Sequence, residues 1–159
     1  MNTAADFEKK VKAELEFLDM PKVEFIVERK ATALTSKGAD AIEFLISANP
    51  GQEPRPIAKI ASGGELSRIM LAIKNVLSDK DNIGTLIFDE IDTGVSGSAA
   101  EKIALKLWQV SKGRQVICVT HLARIAAQAD RHMKISKSVE DSKTFTSITP
   151  LDFEQRAAE

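Results

Sequence analysis

Acidic residues and a histidine follow two short apolar segments of the sequence, an arrangement that is typical of phosphate chemistry. Asp89 and Glu90 come directly after the apolar run 84–88, and His121 ends the second run, 115–120. A carboxylate at the end of a buried strand commonly holds Mg²⁺, and a second one beside it can deprotonate an attacking water. A histidine beside such a pair is a candidate to hold a phosphate oxygen. The alternative is that both acids are solvated loop residues.

A glycine-rich octet, residues 61–68, opens a strongly patterned helix. Ser62 and Glu65 have the spacing of a capping box. Gly63 and Gly64 allow close approach of a ligand, and a helix N-terminus attracts phosphate. An ordinary capped helix start explains the octet equally well. The phosphate-cradling pattern G-x-x-x-x-G-K-[ST] is absent from the sequence, so the phosphate-binding set is incomplete.

The first part of the chain is predicted to form a helix and then a hairpin. Apolar residues at helical spacing predict an amphipathic helix that ends at Met20-Pro21. Alternating patterns over 23–28 and 42–46 predict two antiparallel strands with a turn at 36–38. Residues 49–56, rich in proline, are expected to lack regular structure. The helix that begins after Ser62 follows, with Arg68 and Lys74 off its buried face.

The second part alternates strands and helices, which predicts a parallel sheet. Strand 84–88 is expected to be buried on both faces. Ser98 and Glu101 form a second capping box, which opens a helix through Val110. A strand over 115–120, a short helix and a hairpin over 131–149 follow, with the hairpin turn at 140–142 and a frayed tail from Asp152. Asp89-Glu90 and His121, which end two of these strands, are then expected to lie at the same edge of the sheet.

Composition points to one ordinary domain without extreme charge. The chain has 159 residues and a formal net charge of -1, so no basic footprint over the whole chain indicates nucleic acid. Cys118 is the single cysteine and lies in an apolar strand, where core packing is expected. Neither a signal peptide nor an apolar run long enough to span a bilayer is present, so a cytoplasmic location and no membrane partner are expected.

Four short motifs resemble those of a known superfamily. Residues 62–65 resemble the signature motif of ABC-type ATPases, in the form carried by SMC-like DNA repair ATPases. Residues 85–90 resemble a Walker B strand with its catalytic glutamate, 91–94 a D-loop, and Thr120-His121 the switch histidine. The longer sequence segments 43–51, 61–72 and 88–97 are similar to those of the RecN family, which is one of the SMC-like DNA repair ATPases. The likeness runs from about Met20 to Leu151.

The resemblance implies a fold and a division of the chain. The expected class is α/β, the carboxy-terminal half of an ABC/SMC-type P-loop ATPase head, with a largely parallel sheet flanked by helices and an N-terminal helix and β-hairpin. Residues 1–20 would be the end of a returning coiled-coil arm, 21–151 the carboxy-terminal lobe of the head, and 152–159 a flexible tail. The P-loop would lie in the amino-terminal half of the same head, so we expect this chain to be a fragment that does not hydrolyse ATP alone.

The resemblance also implies roles for individual residues with ATP and Mg²⁺ as cofactors. Asp89 would hold Mg²⁺ through water, Glu90 would be the general base, and His121 would contact the γ-phosphate. The ATP at these residues would be held by the amino-terminal half of the same head. The residues of the signature motif would bind ATP that is held by a second head, across a homodimer interface. They are Ser62, Gly63, Gly64 and Glu65, and Asp92 would lie at the same interface.

The family implies that ATP joins two heads during repair of double-strand breaks in DNA, close to the nucleoid. Two other functions stay open. One is a fragment of a transporter ATPase, against which Ala61 and Glu65 argue, because transporter signatures usually have leucine and glutamine there. The other is a dimerisation or DNA-contacting module with vestigial catalytic residues, against which the presence of Asp89, Glu90 and His121 argues. Arg68, Arg124 and Arg131 are free to contact ATP, DNA or water.

Overall fold

The chain, seen here in a computed structural model, alternates helices with strands and thus has the predicted α/β class. The structure describes residues 3–36, 38–47, 51–78, 80–95, 97–140 and 142–158. The helices are α1 (Thr3–Phe17), α2 (Gly63–Val76), α3 (Ser98–Val110), α4 (Ala123–Ala126) and α5 (Phe153–Ala158), and a 3-10 turn covers Ile57–Lys59. The strands are β1 (Glu24–Thr35), β2 (Gly38–Ser47), β3 (Arg55–Pro56), β4 (Thr85–Phe88), β5 (Gln115–Cys118), β6 (Met133–Glu140) and β7 (Lys143–Pro150).

The first hairpin has the predicted antiparallel pairing and carries α1 on one face. Phe25 pairs with Ile46 in the β1–β2 register. Three aromatic rings join the helix to the hairpin: those of Phe7, Phe25 and Phe44 lie 5.4 to 5.7 Å apart between centroids. Aromatic pairs at this spacing add stability beyond the area that they bury. Lys37, in the predicted turn, lies outside the described residues.

The prediction that residues 49–56 lack regular structure is wrong at their end. Arg55–Pro56 forms the two-residue strand β3, which pairs with β2 at Leu45 and Ile46. Proline is tolerated there because β3 is an edge strand, where a missing N–H donor leaves no partner unpaired. Residues 48–50 lie outside the described part of the chain.

Strands β4 and β5 form the parallel pair, and parallel pairing within the described residues is confined to it. Leu86 and Phe88 are buried against the core. On the other face Ile87 is 69% exposed and its register partner Ile117 is 44% exposed. The prediction that strand 84–88 is buried on both faces is therefore wrong, because the core of this chain covers only one face of the pair.

The start of α3 differs from the predicted capping box. Gly97, with a φ of 51°, occupies the N-cap position, and Ser98 is the first helical residue. The positive φ of Gly97 explains the shift, since glycine enters this conformation without the cost that a side chain adds. Ser96 lies outside the described residues.

The carboxy-terminal residues form a helix where a frayed tail was predicted. Asp152 Oδ1 accepts a hydrogen bond from the Gln155 backbone N–H at 2.9 Å, and Gln155 Oε1 accepts one from the Asp152 N–H at 3.0 Å. These reciprocal bonds are a capping box that starts α5. Arg156 Nη2 then donates to the carbonyls of Ala127 and Ala129 at 3.2 and 2.7 Å, which attaches α5 to the segment after α4.

The core lies between α1, α2 and α3 and one face of each neighbouring sheet. Its largest fully buried side chains come mainly from the three helices: Val11, Leu15, Leu18, Ile69, Leu71, Ile91, Ile103 and Val110. Polar bonds add to this packing, since Glu14 of α1 accepts hydrogen bonds from Asn75 of α2 at 2.8 Å and from Lys106 of α3 at 2.9 Å. None of the described helices combines the length and the apolar character needed to cross a bilayer.

Candidate functional site

The carboxyl ends of β4 and β5 lie side by side and bring the candidate segments to one edge. Phe88 pairs with Cys118 in the parallel register, and the Phe88 carbonyl accepts a hydrogen bond from the Val119 N–H at 2.9 Å. Asp89 follows directly on one strand, and His121 follows two residues after Val119 on the other. The topology therefore collects both segments where ligands bind in open α/β sheets.

Glu90 turns the chain sharply at the end of β4. Its φ is 55°, a left-handed conformation that is uncommon for a residue with a side chain. Asp89 Oδ1 accepts a hydrogen bond from the Glu90 N–H at 2.9 Å, and the Glu90 carbonyl accepts one from the Thr93 N–H at 3.0 Å. The side chains of Asp89 and Glu90 are both exposed, so the carboxylates are open to a ligand and to water.

The side chain of Asp92, a residue that the resemblance assigns to an interface between heads, is buried within this chain. Its side chain is 2% exposed and accepts hydrogen bonds from the Thr120 hydroxyl and from the His121 N–H, the latter at 2.9 Å. His121 Nδ1 lies 3.1 Å from Asp92 Oδ2, while the imidazole is 72% exposed. Asp92 therefore orients the histidine segment, because its carboxylate is already occupied by partners within the chain.

The hydrogen bonds to Asp92 also determine its charge state. Burial by itself disfavours the ionised carboxylate, but the bonds from Thr120 and from the His121 backbone outweigh it, so the pKa of Asp92 lies below its ordinary value. Asp92 is consequently a buried anion at neutral pH. It offers a fixed negative charge to the His121 ring, which favours the orientation with Nδ1–H toward the carboxylate.

The N-terminus of α2 packs directly on the turn that contains Glu90. Ser62 caps the helix, as predicted, by accepting a hydrogen bond from the Glu65 N–H at 3.3 Å. A Cβ at Gly63 would lie 2.2 Å from Glu90 Oε2, and one at Gly64 would lie 2.9 Å from the Glu90 carbonyl oxygen. Gly64 is therefore needed for close contact between the two segments, whereas a methyl group at Gly63 would meet only the flexible end of the Glu90 side chain.

The burial of Arg68 and its contacts at the site are features that the sequence did not reveal. Arg68 was predicted to lie off the buried face of α2, but it is 9% exposed, and Nη1 donates to the carbonyls of Ile91 at 3.2 Å and Thr93 at 3.0 Å. Burial lowers the pKa of Arg68, while the Glu65 charge acts in the opposite direction. Its position one helical turn after Gly64 is the signal in the sequence, because residues i and i+4 share a helix face.

The donor atoms present suit Mg²⁺ and phosphate but do not form a complete site. The carboxylates of Asp89 and Glu90 are hard oxygen donors, which Mg²⁺ prefers together with water and substrate phosphates. Among the described residues, no group of three or more His, Cys, Asp and Glu side chains is arranged to hold a metal ion. These residues therefore fit an ion that arrives with a nucleotide and takes its remaining ligands from the nucleotide, water or another chain.

Cys118 contributes no reactive group at this edge. Burial, followed by the nearby charges of Asp92 and Asp89, raises the pKa of its thiol to about 11. A thiol with such a pKa is protonated at neutral pH and is a poor nucleophile. Cys118 is partly buried beside the core, in line with the packing role expected from its strand.

Comparison with known proteins gives close relatives over most of the chain. The chain is 47% identical over 134 residues to DNA repair protein RecN of Bacillus subtilis, a match that covers 84% of this chain and 23% of that protein. It is 54% identical over 122 residues to DNA repair protein RecN of Treponema pallidum, covering 77% of this chain and 21% of that protein.

The chain belongs to the RecN family. The likeness predicted from its motifs is thereby confirmed. The chain spans about a quarter of the length of the RecN proteins that it matches, 23% in B. subtilis and 21% in T. pallidum. No protein-family model matches the chain.

Solved structures confirm the head fold that is expected of a RecN segment. The Smc head domain with a coiled coil and joint from Pyrococcus yayanosii aligns with a TM-score of 0.64 at 20% identity, covering 99% of this chain and 29% of that one. A structure described under ATP-driven dimerization and DNA stimulated activation of SMC ATPases aligns with a TM-score of 0.55 at 20% identity, covering 99% of this chain and 91% of that one. At this identity the likeness concerns the fold alone.

Proposed function

We propose that this RecN-family chain is the carboxy-terminal lobe of an ATPase head, and that it supplies half of the ATP site in a protein of DNA repair and recombination. The observation that carries the proposal is the meeting of three segments at one sheet edge: Asp89-Glu90, Thr120-His121 and the N-terminus of α2. ATPase activity is general in the family and among SMC heads. The role of each residue is part of the proposal.

Under this proposal each exposed polar side chain has one task. Asp89 would hold Mg²⁺ through water, and Mg²⁺ would neutralise part of the phosphate charge when it is bound with ATP. Glu90 takes a proton from the attacking water, whose oxygen bonds to the γ-phosphorus as the bond to the β–γ bridging oxygen breaks and ADP leaves. His121 contacts a γ-phosphate oxygen through Nε2, because Nδ1 faces Asp92. Nε2 is a donor in this contact when both ring nitrogens carry a proton.

The signature segment is assigned to a second ATP. Ser62, Gly63 and Gly64 present the N-terminus of α2, whose N–H groups and dipole attract phosphate. We assign them to the γ-phosphate of ATP on a second head in a homodimer. This assignment is supported by the ATP-driven dimerization that is described for the SMC ATPase aligned above.

The solvent-exposed face of β4–β5 is a candidate surface for contact with the rest of the head. Ile87, Ile117 and Val119 are 69%, 44% and 44% exposed on or next to this pair. Parallel strands are normally covered on both faces. We propose that the amino-terminal half of the head, with the P-loop that this chain lacks, extends and covers this sheet. Residues 1–20 would then continue a coiled-coil arm, and the whole protein would act on DNA close to the nucleoid.

ATP hydrolysis by separate halves of the head tests this proposal. The chain alone is expected to be inactive, and a mixture with the P-loop half of the same head is expected to hydrolyse ATP. In the full-length protein Glu90→Gln should lower turnover at least about a hundredfold, the scale of losing a general base, while ATP still binds. A nucleotide-binding assay in parallel provides the control.

Two results would contradict the proposal. Hydrolysis by this chain alone would mean that it contains a phosphate-binding element of its own. Near-normal turnover by the Glu90→Gln protein would remove the assignment of the general base. If the halves bind each other, bind ATP and remain inactive, the chain is instead a dimerisation or DNA-binding module without catalysis.

A further inference from the structure

Arg68 is a buried cation beneath the signature segment that no step of the proposed hydrolysis uses. Its guanidinium is enclosed between α2 and the segment 89–93, where it donates to the Ile91 and Thr93 carbonyls at 3.2 and 3.0 Å. An arginine is protonated at neutral pH in any protein environment. A buried charge that is bonded to two main-chain carbonyls fixes the path of that chain more firmly than a neutral donor does.

The segment 89–93 is held by α2 on one side and by Thr120 and His121 on the other. Glu90 has a left-handed backbone conformation, with a φ of 55°, which persists only where neighbouring structure enforces it. Neighbours from α2 enforce it. The Ser67 hydroxyl donates to the Asp89 carbonyl at 2.7 Å, and Gly64 lies so close that an added Cβ would be 2.9 Å from both the Glu90 carbonyl oxygen and Thr93 Cβ. Arg68 extends this contact to the residues on both sides of Asp92.

Asp92 links the segment 89–93 to the residues that follow β5. Ile91 and Thr93, which Arg68 holds, flank Asp92, and Asp92 binds Thr120 and the His121 backbone. One continuous series of polar contacts therefore joins α2, the Glu90 turn and His121. A displacement of α2 must move the Glu90 turn, because packed elements shift as units and do not deform continuously.

We propose that Arg68 is a positioning residue that couples the two ATP sites of a head dimer. This inference rests on the proposed function, in which residues 62–64 serve one ATP while Glu90 and His121 serve the other. Arg68 joins these two groups of residues within a single head. ATP bound against α2 at one site would thereby set the Glu90 turn for hydrolysis at the other.

Full-length variants at Arg68 test the coupling. Arg68→Met keeps an unbranched apolar stem and removes the guanidinium with both hydrogen bonds, and Arg68→Lys keeps the charge without the fork of donors. Arg156→Met is the matched control, because Arg156 also donates to two main-chain carbonyls, those of Ala127 and Ala129, which lie outside the segment 89–93. Initial rates of ATP hydrolysis are measured against ATP concentration, and folding is checked by thermal unfolding.

The parent protein is expected to have a Hill coefficient for ATP between 1 and 2, the limit for about two coupled sites. Arg68→Met should lower kcat about tenfold, within the range that small misplacements cost, and bring the Hill coefficient to about 1. KM should stay within about twofold, because P-loop binding is untouched. Arg68→Lys should give intermediate values, and Arg156→Met should match the parent.

The coupling is overturned by a Hill coefficient of 1 in the parent, or by parent-like kcat and Hill coefficient in either Arg68 variant. If Arg68→Met does not fold, Arg68→Lys alone decides. A kcat loss without a change in the Hill coefficient would also overturn it, since that is the result of a purely structural role. Failure of the proposed function is distinct: the parent would then hydrolyse no ATP, or Glu90→Gln would be fully active.

Discussion

The two glycines of the signature segment differ in what a methyl group would meet. At Gly63 the nearest atom to an added Cβ is the terminal Oε2 of Glu90 at 2.2 Å, and the next is Glu90 Cδ at 3.4 Å. At Gly64 the nearest atoms are the Glu90 carbonyl oxygen and Thr93 Cβ, both at 2.9 Å. A carboxylate can swing away from a new methyl group, whereas the packed turn at residues 90–93 cannot.

Alanine at these positions should therefore separate activity from stability. Gly64→Ala should lower the free energy of unfolding by about 1–3 kcal/mol, the usual cost of overpacking. Gly63→Ala should leave it within about 0.5 kcal/mol, because only a surface side chain moves. In the full-length protein Gly63→Ala should still lower turnover, since it displaces the carboxylate of Glu90.

Denaturant unfolding of this chain and ATPase rates of the full-length protein measure the two effects. Gly84→Ala is the control, because an added Cβ at Gly84 meets no atom within 4 Å. Equal stability of the Gly63→Ala and Gly64→Ala proteins would contradict the packing described here.

For single residues, sequence patterns predicted which exposed polar side chains lie at the site better than they predicted hydrogen-bond partners. The Ser62 cap was foreseen because capping is local and depends on residues three positions apart. The burial of Asp92 and Arg68 was not, since their partners lie 23 to 29 residues away in the chain. Contacts of this kind depend on how elements meet, which no local pattern encodes.

At the scale of elements, α1 is joined to the helices behind the site by one carboxylate. Glu14 Oε2 accepts from Asn75 Nδ2 of α2 at 2.8 Å and lies 2.7 Å from Lys106 Nζ of α3. Lys106 is 9% exposed and also lies over the Phe17 ring, 4.7 Å from its centroid. Glu14 thus compensates a nearly buried ammonium group at the junction of three helices.

Removal of this carboxylate should destabilise the chain more than removal of an exposed neighbour. Glu14→Ala leaves Lys106 without its anionic partner, so the free energy of unfolding should fall by about 1–3 kcal/mol. Glu16→Ala, on the exposed side of the same helix, should change it by less than about 0.5 kcal/mol. Urea unfolding of both variants measures the difference, and equal midpoints would show that Glu14 contributes no more than a surface charge.

The order and type of the helices and strands could be predicted from the apolar pattern. The exact ends of several elements and the solvent exposure of β4 could not. The patterns placed α1, the first hairpin and α2 correctly because each has a periodic apolar set, and they placed the β4–β5 pair because each strand is a short continuous apolar run bounded by polar residues. The α5 helix was missed, although Asp152 and Gln155 have capping-box spacing, because only one turn of apolar pattern follows. The exposed face of β4 was missed because a continuous apolar run indicates a need for burial, which this chain alone does not satisfy.

At the scale of the whole molecule, unsatisfied apolar surface is concentrated on two sheets. The outer face of β4–β5 shows Ile87 and Ile117, and the hairpin of β6 and β7 carries further exposed apolar side chains: Met133, Ile135, Val139, Phe145 and Ile148. Extended exposed apolar surface normally marks an interface. This surface supports the proposal that another part of the head packs here.

Replacement of the paired isoleucines should therefore affect assembly and not the fold of this chain. Ile87→Ser with Ile117→Ser removes apolar groups that are exposed on the outer face of the pair, so the free energy of unfolding should change by less than about 1 kcal/mol. Binding to the P-loop half should weaken at least about tenfold, because each buried aliphatic side chain contributes about 1.5–3 kcal/mol. Leu34→Ser is the control, since Leu34 is 84% exposed on the first hairpin, away from this sheet.

Titration of the P-loop half against the parent, the double variant and the control measures this difference directly. Binding by the double variant at parental strength would place the amino-terminal half elsewhere on the chain. Weak binding by the Leu34→Ser protein as well would indicate general adhesion between apolar surfaces. Loss of binding in the double variant alone would mean that the amino-terminal half covers this face of β4–β5, next to the edge where Asp89 and His121 need a second segment to form a complete site.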